Sequence, residues 1–300
     1  MVYTEIKELR GRRYYYRVIS IRRGDKVSKK RIYLGADLDK KEINMKEKDA
    51  DLKLNQLNSL LSENEKKELE KIKNKHLEDN KEDLKSKYEA FCSLFTYDST
   101  GIEGNTLTLQ ETAQLLFENS VPGGRSLREI NESLNHKEAF DYILKNKRDI
   151  SKEVILKLHE IVCKNTLKPE LKGQIGKYRT VQVYIRGVEW LPPKPHEVPR
   201  EMRNLFIWYS KNENIIHPLI LAAYFHSAFE TIHPFVDGNG RVGRLLMNLI
   251  LRRNNYPMIN IPNSRKLEYY NSLEKAQVKG DLRPLIKFLF ELMINSRINF

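Results

Sequence analysis

The sequence predicts a mainly α-helical fold carrying two small β elements. Three observations point there. Apolar residues recur at helical spacings of 3, 4 or 7, as at Leu77, Leu84, Tyr88, Phe91 and Phe95. Tetrapeptides of capping-box form, Ser62 to Glu65, Thr108 to Glu111 and Ser126 to Glu129, mark helix starts. Two β-branched and aromatic runs interrupt the helical pattern, and each is broken by a glycine turn.

The first run, YYYRVISIRRGDKVSKKRIYLG, reads as two strands around Gly24-Asp25. Lys and Arg along its edges discourage edge-to-edge pairing. Residues 1–40 are therefore expected to form a basic β-ribbon, with 36–45 as a linker. Residues 41–95 read as a charged helical arm, broken near Leu61. From Thr96 to residue 297 the chain is expected to form its main, mostly helical domain. Pro122 to Gly124 separates two of its helices, and further helices are predicted over 152–166, 198–211, 215–232, 240–253, 264–278 and 282–295. Between the first two of these, GKYRTVQVYIRGVEWLPPKP is expected to form a β-hairpin flap turning at Gly187.

Composition narrows the class. The chain of 300 residues is long enough to bury most of its unfolded surface without staples. Cys92 and Cys163 sit in apolar stretches and form no CxxC pair, which predicts a reducing compartment. The start lacks an apolar signal core, and the most apolar runs are too short to span a membrane. A soluble, cytoplasmic protein is expected, with no membrane partner. Residues 1–40 hold 12 Lys/Arg against 5 Asp/Glu, more than half of the +13 excess. That ribbon could attract nucleic acid or an acidic partner, or simply stay solvated.

Residues 233–244, HPFVDGNGRVGR, carry the densest chemistry. Gly238 and Gly240 flank Asn239 just before an apolar helix. Such a turn aims backbone N–H groups at one point, and the helix dipole adds positive potential there. This is an anion site, and phosphate is the usual guest. Arg241 and Arg244 lie at i and i+3, and two guanidinium forks suit a di- or triphosphate. Asp237, the loop's only carboxylate, would hold Mg²⁺ beside bound phosphates. His233 closes the preceding helix and can strip a proton from an attacking hydroxyl. His226 reads as a core histidine, and no HExxH or CxxC spacing suggests zinc.

These residues resemble the HxFx(D/E)GNGRxxR signature of Fic-domain proteins, with every defining position filled by His233, Asp237, Gly238, Asn239, Gly240, Arg241 and Arg244. The stretches KYRTVQVYI, PPKP, RLLMN and EYYNSLEKA extend the resemblance over roughly residues 90–295. It implies a Fic-type helical domain that transfers AMP from ATP to a Ser, Thr or Tyr hydroxyl of a target protein. His233 would be the base, and Asp237 would hold Mg²⁺. Gly238, Asn239 and Gly240 would cradle the phosphates, with Arg241 and Arg244 further along them. A phosphate-transferring subgroup has Lys where Gly240 stands, so glycine favours AMP transfer.

The resemblance also implies an inhibitory helix at about 96–104, since Ser99, Glu103 and Gly104 fit its (S/T)xxxE(G/N) pattern. Glu103 would pair with Arg244 and compete with the γ-phosphate; some relatives with this glutamate also remove AMP. Ile185, Arg186, Gly187 and Val188 at the flap tip would lie over the nucleotide, and Tyr269 would border the adenine. The flap would take a target segment as an added strand. Gln277 stands where a relative has Asn, and that contact is not carried over. A homodimer stays open. The alternative reading is a nucleic-acid-binding module built on the basic ribbon, with the Fic-like part regulatory.

Overall fold

The computed structural model describes residues 2–300 apart from 24–25, 41, 45, 48–56, 80–83, 147, 186, 189, 297 and 299. The Gly24-Asp25 turn and Arg186 lie outside the described residues. The chain opens with a three-stranded antiparallel sheet, β1 (Val2–Leu9), β2 (Arg12–Arg23) and β3 (Lys26–Ala36), in the order β1-β2-β3. The sequence reading found β2 and β3 and missed β1. Charged Glu5, Lys7 and Glu8 on this edge strand dilute the β-branched signal. Arg10 (φ 52°) and Gly11 (φ 75°) form its tight turn, both with the positive φ that a two-residue hairpin loop requires.

Residues 36–45 are more than a linker. Residues 42–44 are helical, and Ile43 packs with Leu38 on buried Tyr15 and Leu34 under the sheet. The helical part follows with α1 (Glu63–Asp79), α2 (Leu84–Ile102), α3 (Leu109–Phe117) and α4 (Leu127–Lys145). Both side-chain bonds of the capping box form at Thr108/Glu111 and Ser126/Glu129, where the sequence places them. The stretch expected as an inhibitory helix is not a separate element. It is the last turns of α2 and the two residues after it. Leu69 of α1 and Phe91, Cys92 and Phe95 of α2 are buried in the main core, so the charged arm is docked on the domain.

Next come α5 (Lys152–Val162), α6 (Val198–Asn212), α7 (Pro218–Ile232), α8 (Asn239–Arg253), α9 (Lys266–Lys279) and α10 (Arg283–Ile294). The centre is the α7–α8 pair. Phe225 and Phe229 from α7 and Leu245, Leu246 and Leu249 from α8 are wholly buried. Burying each such side chain contributes about 1.5–3 kcal/mol. The loop between these two helices is thus clamped at both ends by the core. No helix among the described residues is long and apolar enough to cross a membrane. Cys92 and Cys163 are free and buried.

The flap differs from the expected hairpin. Its described residues form no strand. Pro192, Pro193 and Pro195 have no N–H to donate to a ladder. Side chains tie the two arms instead. Gln182 Nε2 donates to the carbonyls of Val183 and Pro192, each at 3.2 Å. Arg179, 2% exposed, donates to the carbonyls of Val181 and Pro193.

Candidate active site

His233 ends α7 in the left-handed region (φ 48°, ψ 62°), its N–H bonded to Phe229 O at 2.9 Å. A non-glycine residue there is uncommon and marks a constrained site. Arg179 fixes it further: its Nε donates to His233 O at 2.8 Å and its backbone N–H to Pro234 O at 2.9 Å. One buried guanidinium therefore joins the base of the flap to the loop carrying His233.

Gly238 starts α8 with φ 81°. A Cβ at this position would lie 2.7 Å from Cys163 Sγ, so both conformation and space demand glycine. Asn239 turns inward. Its Oδ1 accepts from Phe235 N and its Nδ2 donates to Phe235 O, both at 2.9 Å. Its side chain staples the loop, and what it offers an anion is its backbone N–H. Asp237 Oδ1 accepts from Gly238 N and from Arg241 Nη2 (3.1 Å), while Oδ2 accepts from Arg128 Nη2 at 3.2 Å.

Arg241 and Arg244 are each 1% exposed. Arg241 Nη1 lies 3.4 Å from Glu132 Oε1, and its buried Nε has no hydrogen-bond partner among the described residues. A buried guanidinium with an unmet donor at a helix N-terminus fits an anionic ligand. Arg244 is bonded through two of its three guanidinium nitrogens. Its Nε donates to Ser99 Oγ (3.0 Å) and its Nη2 to Ser99 O and Glu103 Oε1, each at 2.8 Å. The pairing of Glu103 with Arg244 expected from the sequence is present in the fold. Glu103 also fills the space over Gly240, where a Cβ would meet its Oε1 at 2.2 Å.

A cavity of about 420 Å³ opens beside this cluster. His233, Gly240, Arg244 and Glu103 form its polar side. Ile185, Gly187 and Val188 of the flap and Tyr269 of α9 form much of the rest. Gln277 lines it as well. Asp237, Gly238, Asn239 and Arg241 lie outside this lining. Tyr269 is 1% exposed, and its hydroxyl bonds His226 Nε2 at 2.6 Å, which places His226 in the core.

Several site residues escaped the sequence reading. Arg179 and Arg128 are described above. Trp190 lines the cavity with an indole N–H that has no partner among the described residues. Glu230 also lines it, 7% exposed, with Oε2 3.9 Å from His233 Nδ1. Burial pushes the Glu230 carboxyl up to about 8, so it is protonated at neutral pH. Its signal was legible: it is the one carboxylate in the apolar stretch PLILAAYFHSAFETI.

Burial also pushes the His233 imidazole down to about 4, so at neutral pH it is unprotonated. His159 goes to about 4, and His136 and His226 to about 3, for the same reason. These depressed values make stability pH-dependent. The unfolded chain takes up protons near 6.5 that the folded chain refuses, so stability is present above that pH and is lost as pH falls toward 4. Glu230 acts oppositely between 4.5 and 8. Three net protons then give a slope of up to about 4 kcal/mol per pH unit. The melting temperature is expected to fall by roughly 10 °C or more from pH 7 to pH 5. A flat melting profile by circular dichroism would contradict four imidazoles held neutral by the fold.

Comparison with known proteins follows the same pattern. Residues 149–251 match the family model described as Fic/DOC family. A curated relative, "Protein adenylyltransferase Fic" of Drosophila grimshawi, is 38% identical over 209 residues, 68% of this chain and 42% of that protein. The chain thus spans under half the length of that relative. A Fic-domain-containing signaling protein from Bacteroides thetaiotaomicron superposes with a TM-score of 0.66 at 29% identity, covering 81% of this chain and 94% of that one. Fic-1 from C. elegans (residues 134–508) gives 0.66 at 29% identity, covering 87% and 76%. With its signature loop held between two buried helices and these likenesses spanning most of its helical part, the chain belongs to the Fic/DOC family.

Proposed function

We propose that this chain transfers AMP from ATP to a Ser, Thr or Tyr hydroxyl of a target protein, under restraint by Glu103. One observation carries the reading: a neutral imidazole, a glycine-led helix N-terminus and two buried arginines converge beside one cavity. The backbone N–H groups of Gly238 to Gly240 and the forks of Arg241 and Arg244 receive the phosphates. Ile185, Gly187, Val188 and Tyr269 border the nucleotide's other end, with Arg186 between them in sequence. His233 takes the proton as the target oxygen attacks the α-phosphorus; the bond to the β-phosphate bridging oxygen breaks and pyrophosphate leaves. Positioning and stabilisation of phosphoryl charge supply most of the rate.

Asp237 is chemically suited to Mg²⁺: a hard, one-third exposed carboxylate beside the anion site. The described residues contain no group of three metal-ligating side chains, so the remaining ligands would come from phosphates and water. Bound there, Mg²⁺ would neutralise phosphate charge. Arg128 donates to Asp237 Oδ2 and would compete with the ion for that oxygen. Free, buried cysteines support a reducing, cytoplasmic setting.

The test uses two preparations of ATP, radiolabelled at the α- or the γ-phosphate, incubated with the whole chain and a cell extract. Above a control lacking the chain, protein-bound label is expected from the α-labelled nucleotide alone. Label from the γ-phosphate would make the chain a kinase and overturn the reading.

A further inference from the structure

The nucleotide site leaves one surface without a role, a face of the N-terminal sheet. Residues opposite one another in antiparallel strands share a face. The register pairs Lys7 with Tyr14, Tyr3 with Val18, Tyr16 with Tyr33 and Val18 with Arg31. Tyr3, Tyr14, Tyr16 and Tyr33 therefore project on one side together with Lys7 and Arg31. The other side is occupied, by the small core under Tyr15 and by Glu47, which bonds Thr4 and Arg17.

The tyrosine face is partly open, with Val18 buried beneath its side chains. Tyr33 is 54% exposed and its three companions are half-buried. The rings gather, with centroids 5.3 Å apart for Tyr16 and Tyr33 and 6.4 Å for Tyr14 and Tyr33. Cations stand over them: Lys7 Nζ is 5.6 Å from the Tyr16 ring centre and Lys29 Nζ is 6.0 Å from that of Tyr3. Glu5, opposite Tyr16 and so on this same face, is neutralised by Arg31 at 2.6 Å. Lys29 and Arg31 also border a groove of about 790 Å³ whose far wall includes Trp208 and Lys211 of α6 and whose described lining has no Asp or Glu.

We propose that this face binds single-stranded nucleic acid. Successive unpaired bases stack on aromatic rings while cations track the phosphates, and every base has a π-face, so such binding tolerates sequence. An acidic peptide would satisfy the cations and leave four rings wet. A duplex would bury its bases away from the rings. The proposal is independent of AMP transfer and uses no residue of that site.

The test is fluorescence anisotropy of the full chain with a fluorescein-labelled oligothymidylate of about 12 nucleotides. Binding is expected to weaken by tenfold or more as salt rises from about 50 to about 200 mM. Tyr16→Ala with Tyr33→Ala should weaken it about tenfold or more, and Tyr16→Phe with Tyr33→Phe should retain it. If the alanine pair fails to fold, Lys7→Gln with Lys29→Gln decides: affinity and its salt dependence should both fall. The proposal is overturned if the alanine or glutamine pair binds like the parent, or if a duplex or an oligoglutamate of the same length binds as tightly.

Discussion

Replacing Glu103 with glycine is expected to raise AMP incorporation from α-labelled ATP by about ten- to a hundredfold. The size follows from one contact. A hydrogen bond to a charged group contributes about 1.5–3 kcal/mol, and the Glu103 carboxylate meets the Arg244 guanidinium at 2.8 Å. While that pair stands, Ser99 and Glu103 occupy the Nε and Nη2 edge of Arg244, so a γ-phosphate cannot take that edge in two-point fashion. Glu103 follows the last residue of α2, is one-third exposed and bonds Arg244 through its side chain, so glycine there should leave the core intact. Equal incorporation by the variant and the parent would remove the restraint from the account. A melting curve for both proteins separates a released restraint from a loosened fold.

The proposed restraint would rest on steric as well as ionic fit. Glu103 reaches Arg244 only because Gly240 lacks a Cβ. The same missing Cβ lets a phosphate approach the start of α8 closely. Under the proposed restraint, the Glu103 carboxylate and a substrate phosphate would contend for one space and one guanidinium. Glycine at 240 serves both states, and a larger residue there would change the contest before it changed the chemistry.

Much of this was legible in the sequence, and the reasons are local. Capping boxes such as Thr108/Glu111 are set by residues three apart, and all three formed. The signature loop could be read because its chemistry sits in twelve consecutive residues. Glu103 and Arg244 are 141 residues apart, and only a pattern shared with a family joined them. Where partners are distant and no pattern helps, the reading fell short. Arg179 looks like any surface arginine in a β-branched run, yet it is buried and bonds three carbonyls across two segments. The side chain of Asn239 bonds Phe235 four residues back, a staple the sequence reading did not anticipate. The flap carries β propensity along its length, and the proline pair at its exit removes the donors that a ladder would need.

In the Glu103→Gly background, a second change at His233 is expected to lower incorporation by about 10²- to 10⁴-fold, the usual worth of a positioned general base. Asparagine is the informative replacement. It accepts the left-handed backbone that His233 adopts, and it cannot take up a proton. Unchanged melting with lost labelling would then locate the defect in proton transfer. The pH profile adds a second constraint. Since burial holds the imidazole near 4 in the free protein, the base form persists well below its ordinary value near 6.5. The profile of kcat/KM, which reports the free enzyme, should therefore stay level from pH 8 to about 5 and fail only where the fold itself begins to lose stability. Nucleotide phosphates bring negative charge toward the ring and favour its protonated form, so kcat should inflect at a higher pH than kcat/KM. An inflection of kcat/KM near 6.5 would mean that the surroundings of His233 do not depress its imidazole.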